Sequence, residues 1–131
     1  MMPVEIADVL WIVGRLLLGL YFAAAGIHHF SAIEPLTQAI AARGVPAARM
    51  VLLAGSVFQT VCGVALILGF WPAWAALGLV LFTIAASLLF LNFWSMEGAA
   101  RDGAVGTWKT NLALIGGLLV AAAHSFGQTA A

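Results

Sequence analysis

The sequence predicts an all-α polytopic membrane protein, an antiparallel bundle of four transmembrane helices with a short interfacial helix between the first and the second. Three observations predict it. Of the 131 residues, 64% are hydrophobic and only 8% are charged, against the roughly 25% charged residues of soluble domains. Apolar runs recur along the chain, each near the length of about 20 residues that a helix rising 1.5 Å per residue needs to cross a bilayer. The connection between the second and third runs is so short that these two must lie antiparallel. A single membrane domain therefore accounts for residues 1–131.

The first helix is expected over about residues 8–28. It belongs to the stretch "GRLLLGLYFAAAGIHHF", which places Arg15 near one end of an apolar run and a histidine pair at the other. A cleaved signal peptide is the competing reading, because "AAAG" loosely resembles a small-residue cleavage site. Against it, Glu5 and Asp8 stand where a basic region belongs and Arg15 interrupts the apolar region, so the helix is expected to be retained. The next connection brings Pro35, then Leu36, Ala39 and Ile40 on one helical face, and then "RGVP", where Gly44 and Pro46 stop a short helix lying on the bilayer. The second and third spans follow over about residues 50–70 and 72–94. Between them Pro72 suits a first helical turn. The fourth span, about residues 111–126, comes after a connection from Ser95 to Thr110.

Small residues mark the faces along which such helices touch, since close backbone approach replaces the hydrophobic drive that lipid removes. Gly19, Ala23 and Gly26 run down the first helix; Gly55, Gln59 and Gly63 share a face of the second; Ala113, Gly117 and Ala121 share one on the fourth. Gln59 is thereby turned inward, where its amide needs a partner. Cys62 is the one cysteine, so no intramolecular disulfide forms.

Charge sets the expected orientation. Arg43 and Arg49 fall in the first long connection and Arg101 and Lys109 in the second, while the hairpin turn and the C-terminal tail carry no Lys or Arg. The positive-inside rule then puts the long connections in the cytoplasm and both termini outside, which in the bacterial inner membrane expected for this chain is the periplasm. Trp11, Trp71 and Trp74 fall near the outer surface and Trp94 and Trp108 near the inner one, as an aromatic belt at each interface requires. No cluster of Lys or Arg supplies the basic footprint of nucleic-acid binding.

Depth decides which polar residues can meet. Counted from the inner helix ends at 1.5 Å per residue, Arg15 stands about 20 Å up the first helix, with Gln59 about 14 Å and Cys62 about 18 Å up the second. They are expected as neighbours near mid-membrane. An arginine at the centre of a span costs about 2.5–3.5 kcal/mol on insertion scales, so it calls for compensation. Either Arg15 snorkels to outer headgroups and Asp8, seven residues earlier on the same face, or its guanidinium holds a carbonyl or anionic oxygen inside the bundle together with Gln59. Asn92 and Asn111, near the inner surface, are read as helix caps or interhelical hydrogen-bonding residues, with Asn111 a further candidate for ligand binding. His28 and His29 fall at one surface and His124 at the other, and adjacent helical residues diverge by about 100°. No metal site is therefore expected.

The chain also resembles a known family. "RLLLGLYFAAAG" followed by "GVP", the hairpin "VCGVALILGFWPAWAALGLVLFTIAASLLF" ending in "NFW", and "NLALIGGLL" at residues 111–119 together resemble the DoxX family of small four-helix membrane proteins. The family takes its name from a membrane partner of thiosulfate:quinone oxidoreductase, and other members are linked to thiol and oxidative-stress systems. The resemblance thus implies a membrane subunit or partner of a quinone- or thiol-linked redox system. This chain departs from the family at Gln59, where an acidic residue is often found, at His28 or His29, where a basic residue follows the first-helix glycine, and at Leu91, where some relatives carry histidine.

Three function classes follow. One is a redox-system membrane subunit, not catalytic alone, with quinone as its ligand and no intrinsic cofactor; Arg15, Gln59 and Asn111 are its candidate binding residues. No CxxC, nucleotide motif or facing histidine pair supplies its own electron carrier. A second is a non-catalytic anchor or assembly factor. A third is a small-solute transporter working as a homo-oligomer, although no pair of broken helices is evident.

Overall fold

The structure, a computed structural model, describes residues 3–130. It is all-helical: α1 Pro3–His29, α2 Ile33–Ala42, α3 Ala48–Leu68, α4 Pro72–Phe90, a 3-10 turn Phe93–Ser95, and α5 Gly98–Ala130. Among the described residues α1, α3, α5 and the α4 segment are long and apolar enough to cross a membrane. α1 packs along α3, α3 against α4 and α4 along α5, which returns to touch α1. α2 lies across the beginning of α3 and the end of α4. Leu17, Leu81 and Val120 are among many large apolar side chains pointing outward. Helices apolar all round need lipid as their outer solvent, so the protein is an integral membrane protein.

The α3–α4 turn shows how local chemistry sets an end. Gly69 caps α3 at φ 73°, the left-handed region that glycine enters without steric cost. Its N–H donates to the Leu66 carbonyl and that of Phe70 to Ala65, the paired bonds of a Schellman ending. Pro72 then opens α4, where its missing N–H would have been unpaired anyway. Trp71 between them also has positive φ, so the two spans reverse over a few residues.

The α1–α3 seam is built from the small residues expected there. A Cβ on Gly63 would lie 2.6 Å from the Ala23 nitrogen, and one on Gly19 would lie 2.7 Å from the Gly63 carbonyl oxygen. The two backbones touch. On α5 the expected stripe does not hold as a unit: Ala121 is buried, Gly117 approaches Leu18, but Ala113 is exposed while Leu118 and Ala122 fill the core. Spacing alone left the helix rotation open, and the larger Leu118 side chain fixed it. Two hydroxyls on α4 satisfy themselves locally, Thr83 donating to the Leu79 carbonyl and Ser87 to that of Thr83.

Several helix ends differ from the sequence-based expectation. α1 begins at Pro3 rather than near residue 8, and α5 begins at Gly98 rather than near residue 111. The fourth span ends past residue 126, at Ala130, while the third stops at Phe90, short of residue 94. Hydropathy marks where a helix can leave lipid, and backbone hydrogen bonding continues beyond that point. Most of the expected Ser95–Thr110 connection is therefore helical. Trp108 secures this extension by donating its indole N–H to the Leu91 carbonyl at 2.7 Å, and the Arg101 guanidinium stands over the Phe93 ring.

Candidate functional site

The residues singled out by the sequence lie at different places in the bundle. Helical side chains lean toward the N-terminus, so Arg15 rises past mid-membrane toward the α3–α4 turn. A Cβ on Gly69 would meet its Nη1 at 2.8 Å, and its guanidinium carbon is 5.5 Å from the centre of the Trp11 ring. Gln59 is ten residues earlier on α3, about 15 Å away along the helix axis. The expected meeting of Arg15 and Gln59 does not occur. Nor does Asp8 pair with Arg15; the ion pair found among the described residues joins Arg49 to Glu34 at the other end. Cys62 faces α4 beside Gly78, away from Arg15.

Gln59 is 4% exposed and donates its amide nitrogen to the Phe22 carbonyl at 3.0 Å, a bond that ties α3 to α1. Its own oxygen is buried without a donor. Asn111 donates to the Ser87 hydroxyl at 2.9 Å and so joins α5 to α4, the interhelical role rather than a cap. His124 rests on Trp11 at the α3–α4 turn end, with ring centres 4.6 Å apart, while His28 and His29 close α1 at the opposite end.

A site that sequence reasoning missed lies at the α2 end. There a cavity of about 520 Å³ opens between α3 and α4 beneath α2. Leu36 and Ile40 of α2 form its roof, and Leu52 of α3 and Phe82 and Leu89 of α4 form its walls. Gly55 keeps it open, since even a Cβ there would come within 3.3 Å of the Phe82 ring. The polar side chains on its lining are His29 and Ser56, whose Nδ1 and Oγ are 3.0 Å apart. Ser56 is buried, and its backbone carbonyl accepts from the Thr60 hydroxyl.

The chemistry of this pair is adaptable. If Ser56 donates to Nδ1, the imidazole presents an N–H at Nε2; if Nδ1–H donates to Ser56, Nε2 becomes an acceptor. His29 makes no other side-chain hydrogen bond among the described residues. An apolar chamber of this size with one convertible polar group fits a largely hydrophobic ligand carrying a carbonyl or hydroxyl. The signal was faint in the sequence. The histidine pair was legible as a chelate to be rejected, but Ser56 and Gly55 became its surroundings only once α2 folded over them.

Comparison with known proteins adds one match. The DoxX family model matches residues 10–92, more than half of the chain, covering most of α1 through α4. The "NLALIGGLL" segment of α5 falls outside it. No curated protein and no solved structure matches the chain.

Proposed function

The chain belongs to the DoxX family, and from that premise we propose that it is the membrane-embedded partner of a redox system, holding a quinone in the cavity beneath α2. The observation that carries this reading is the apolar chamber with the His29–Ser56 pair on its wall. A quinone carbonyl accepts a hydrogen bond and a quinol hydroxyl can donate one, and the two tautomers of His29 serve either. When bound, the quinone would supply the two-electron chemistry that no side chain here provides; the protein's part is to orient the head group and keep its tail in an apolar lining. Electrons would come from a partner enzyme.

The distribution of charge supports a place for that partner. Arg43, Arg49, Arg101 and Lys109 all stand at the α2 end, which the positive-inside rule makes cytoplasmic. At 33 residues, α5 extends about 50 Å, well past a hydrocarbon core of about 30 Å. Its first turns thus reach the aqueous side at the end of the bundle where α2 lies, where a soluble enzyme would dock.

Photolabelling of the protein in membranes with an azidoquinone tests the proposal. Label is expected on peptides spanning 51–56 and 82–90, competed by unlabelled quinone. Gly55→Leu, which fills the chamber, should abolish the label, and Ser56→Ala should weaken it several-fold. Label spread evenly over all spans, or unchanged in Gly55→Leu, would refute the assignment. Mass spectrometry of proteins that co-purify from the native membrane tests the partner separately.

A further inference from the structure

Arg15 sits at the far end of the molecule from the cavity and is unexplained by it. Its Nε is buried without an acceptor, and no carboxylate stands within ion-pair distance among the described residues. The protein shapes its surroundings nevertheless. Trp11, one turn earlier on α1, lies under the guanidinium, and Gly69 presents bare backbone to it; a Cβ there would stand 2.8 Å from Nη1 and push the guanidinium aside. Gly69 also borders a cavity of about 360 Å³ whose other lining residues are Trp71, Pro72, Ala73, Trp74, Ser125 and Phe126.

A guanidinium so placed has a planar fork of donors, and among the described residues no protein oxygen accepts a hydrogen bond from it. The negative end of the α3 dipole at Gly69 offsets part of the charge and satisfies none of the N–H groups. The aromatic side chains at this end, Trp11, Phe70, Trp71 and Trp74, mark the depth of an interface. At that depth the abundant oxyanion is the phosphate of a phospholipid, whose geometry matches the fork in bidentate fashion. We infer that Arg15, floored by Trp11 and Gly69, is a binding site for one phosphate oxyanion, supplied by a lipid head group whose glycerol and upper acyl chains lie against Trp71 and Trp74.

The full chain, stripped of lipid in detergent, is titrated with phosphatidylglycerol and examined by native mass spectrometry. The parent is expected to retain one phosphatidylglycerol per chain through this site, while Arg15→Gln weakens retention at least ten-fold and diacylglycerol, which lacks the phosphate, is not retained. An unchanged far-ultraviolet circular dichroism spectrum and thermal unfolding midpoint in the same detergent report that Arg15→Gln is folded. Complete displacement of lipid by millimolar inorganic phosphate would keep the oxyanion site and transfer its source to solution. Equal retention by parent and Arg15→Gln would overturn the inference. Should Arg15→Gln fail to assemble, Arg15→Lys carries the test: it keeps the charge and loses the fork, so at least a three-fold loss is expected and parental retention refutes the site.

Discussion

Gln59 holds its amide nitrogen on the Phe22 carbonyl and leaves its oxygen unpaired in the interior. A hydrogen bond gained and an acceptor stranded nearly cancel, so an apolar residue of similar volume should cost little. Gln59→Leu is expected to stay within about 1 kcal/mol of the parent in thermal unfolding; a loss several times larger would show that the oxygen has a partner, such as buried water. Because Gln59 and Arg15 do not meet, Gln59→Leu should also leave phosphatidylglycerol retention untouched. Asn111 is a different case. Its bond to Ser87 joins two spans at a hydroxyl that is itself satisfied, and Asn111→Ala should cost about 0.6 kcal/mol, the usual value for an interhelical bond in lipid. The inward turn of Gln59 was readable from its place between Gly55 and Gly63, but its partner was not, since one of many backbone carbonyls on α1 took that role.

The α1–α3 seam works at the scale of elements, because lipid competes equally well for apolar side chains and only close backbone contact distinguishes a partner helix. Gly63→Ala places a methyl group against the Ala23 backbone, which cannot yield as a flexible side chain would. We expect it to lower stability by about 1–3 kcal/mol, the range of overpacking. Gly116→Ala on α5 meets nothing within 4 Å and gains helix propensity, so it should be neutral or slightly stabilising. Thermal unfolding of both in one detergent checks the contrast, and equal effects would mean that the seam does not hold the pair together.

For the whole molecule, Arg43, Arg49, Arg101 and Lys109 fall at one end of the bundle, and the start of α1 and the end of α5 at the other. Reporters fused after Gln128 are expected to read as external and those placed between Glu97 and Val105 as cytoplasmic. The opposite pattern would invert the molecule, putting the cavity outside and the Arg15 site at the inner leaflet. Arg15 meets Gly69 while the cavity reaches Ser56 on the same helix, so about 20 Å along the α3 axis separates the two proposed sites. Filling the cavity with Gly55→Leu should therefore not alter lipid retention at Arg15.

By itself the sequence determined the fold class, the tight hairpin, the interfacial helix, the glycine seam and the resemblance to the DoxX family. These follow from apolar length, from turn chemistry at Gly69 and Pro72, and from residue size, all local properties of the chain. The helix ends were harder to read, because polarity marks the membrane boundary while hydrogen bonding carries α5 on through Arg101 and Lys109. Tertiary structure alone decided which polar groups meet. A shared depth on two helices leaves rotation and side-chain reach undetermined, and so Arg15 turned to Gly69 while Gln59 turned to Phe22. The cavity exists for the same reason: His29, Ser56 and Phe82 lie on three different helices and become one surface only when α2 folds across α3 and α4.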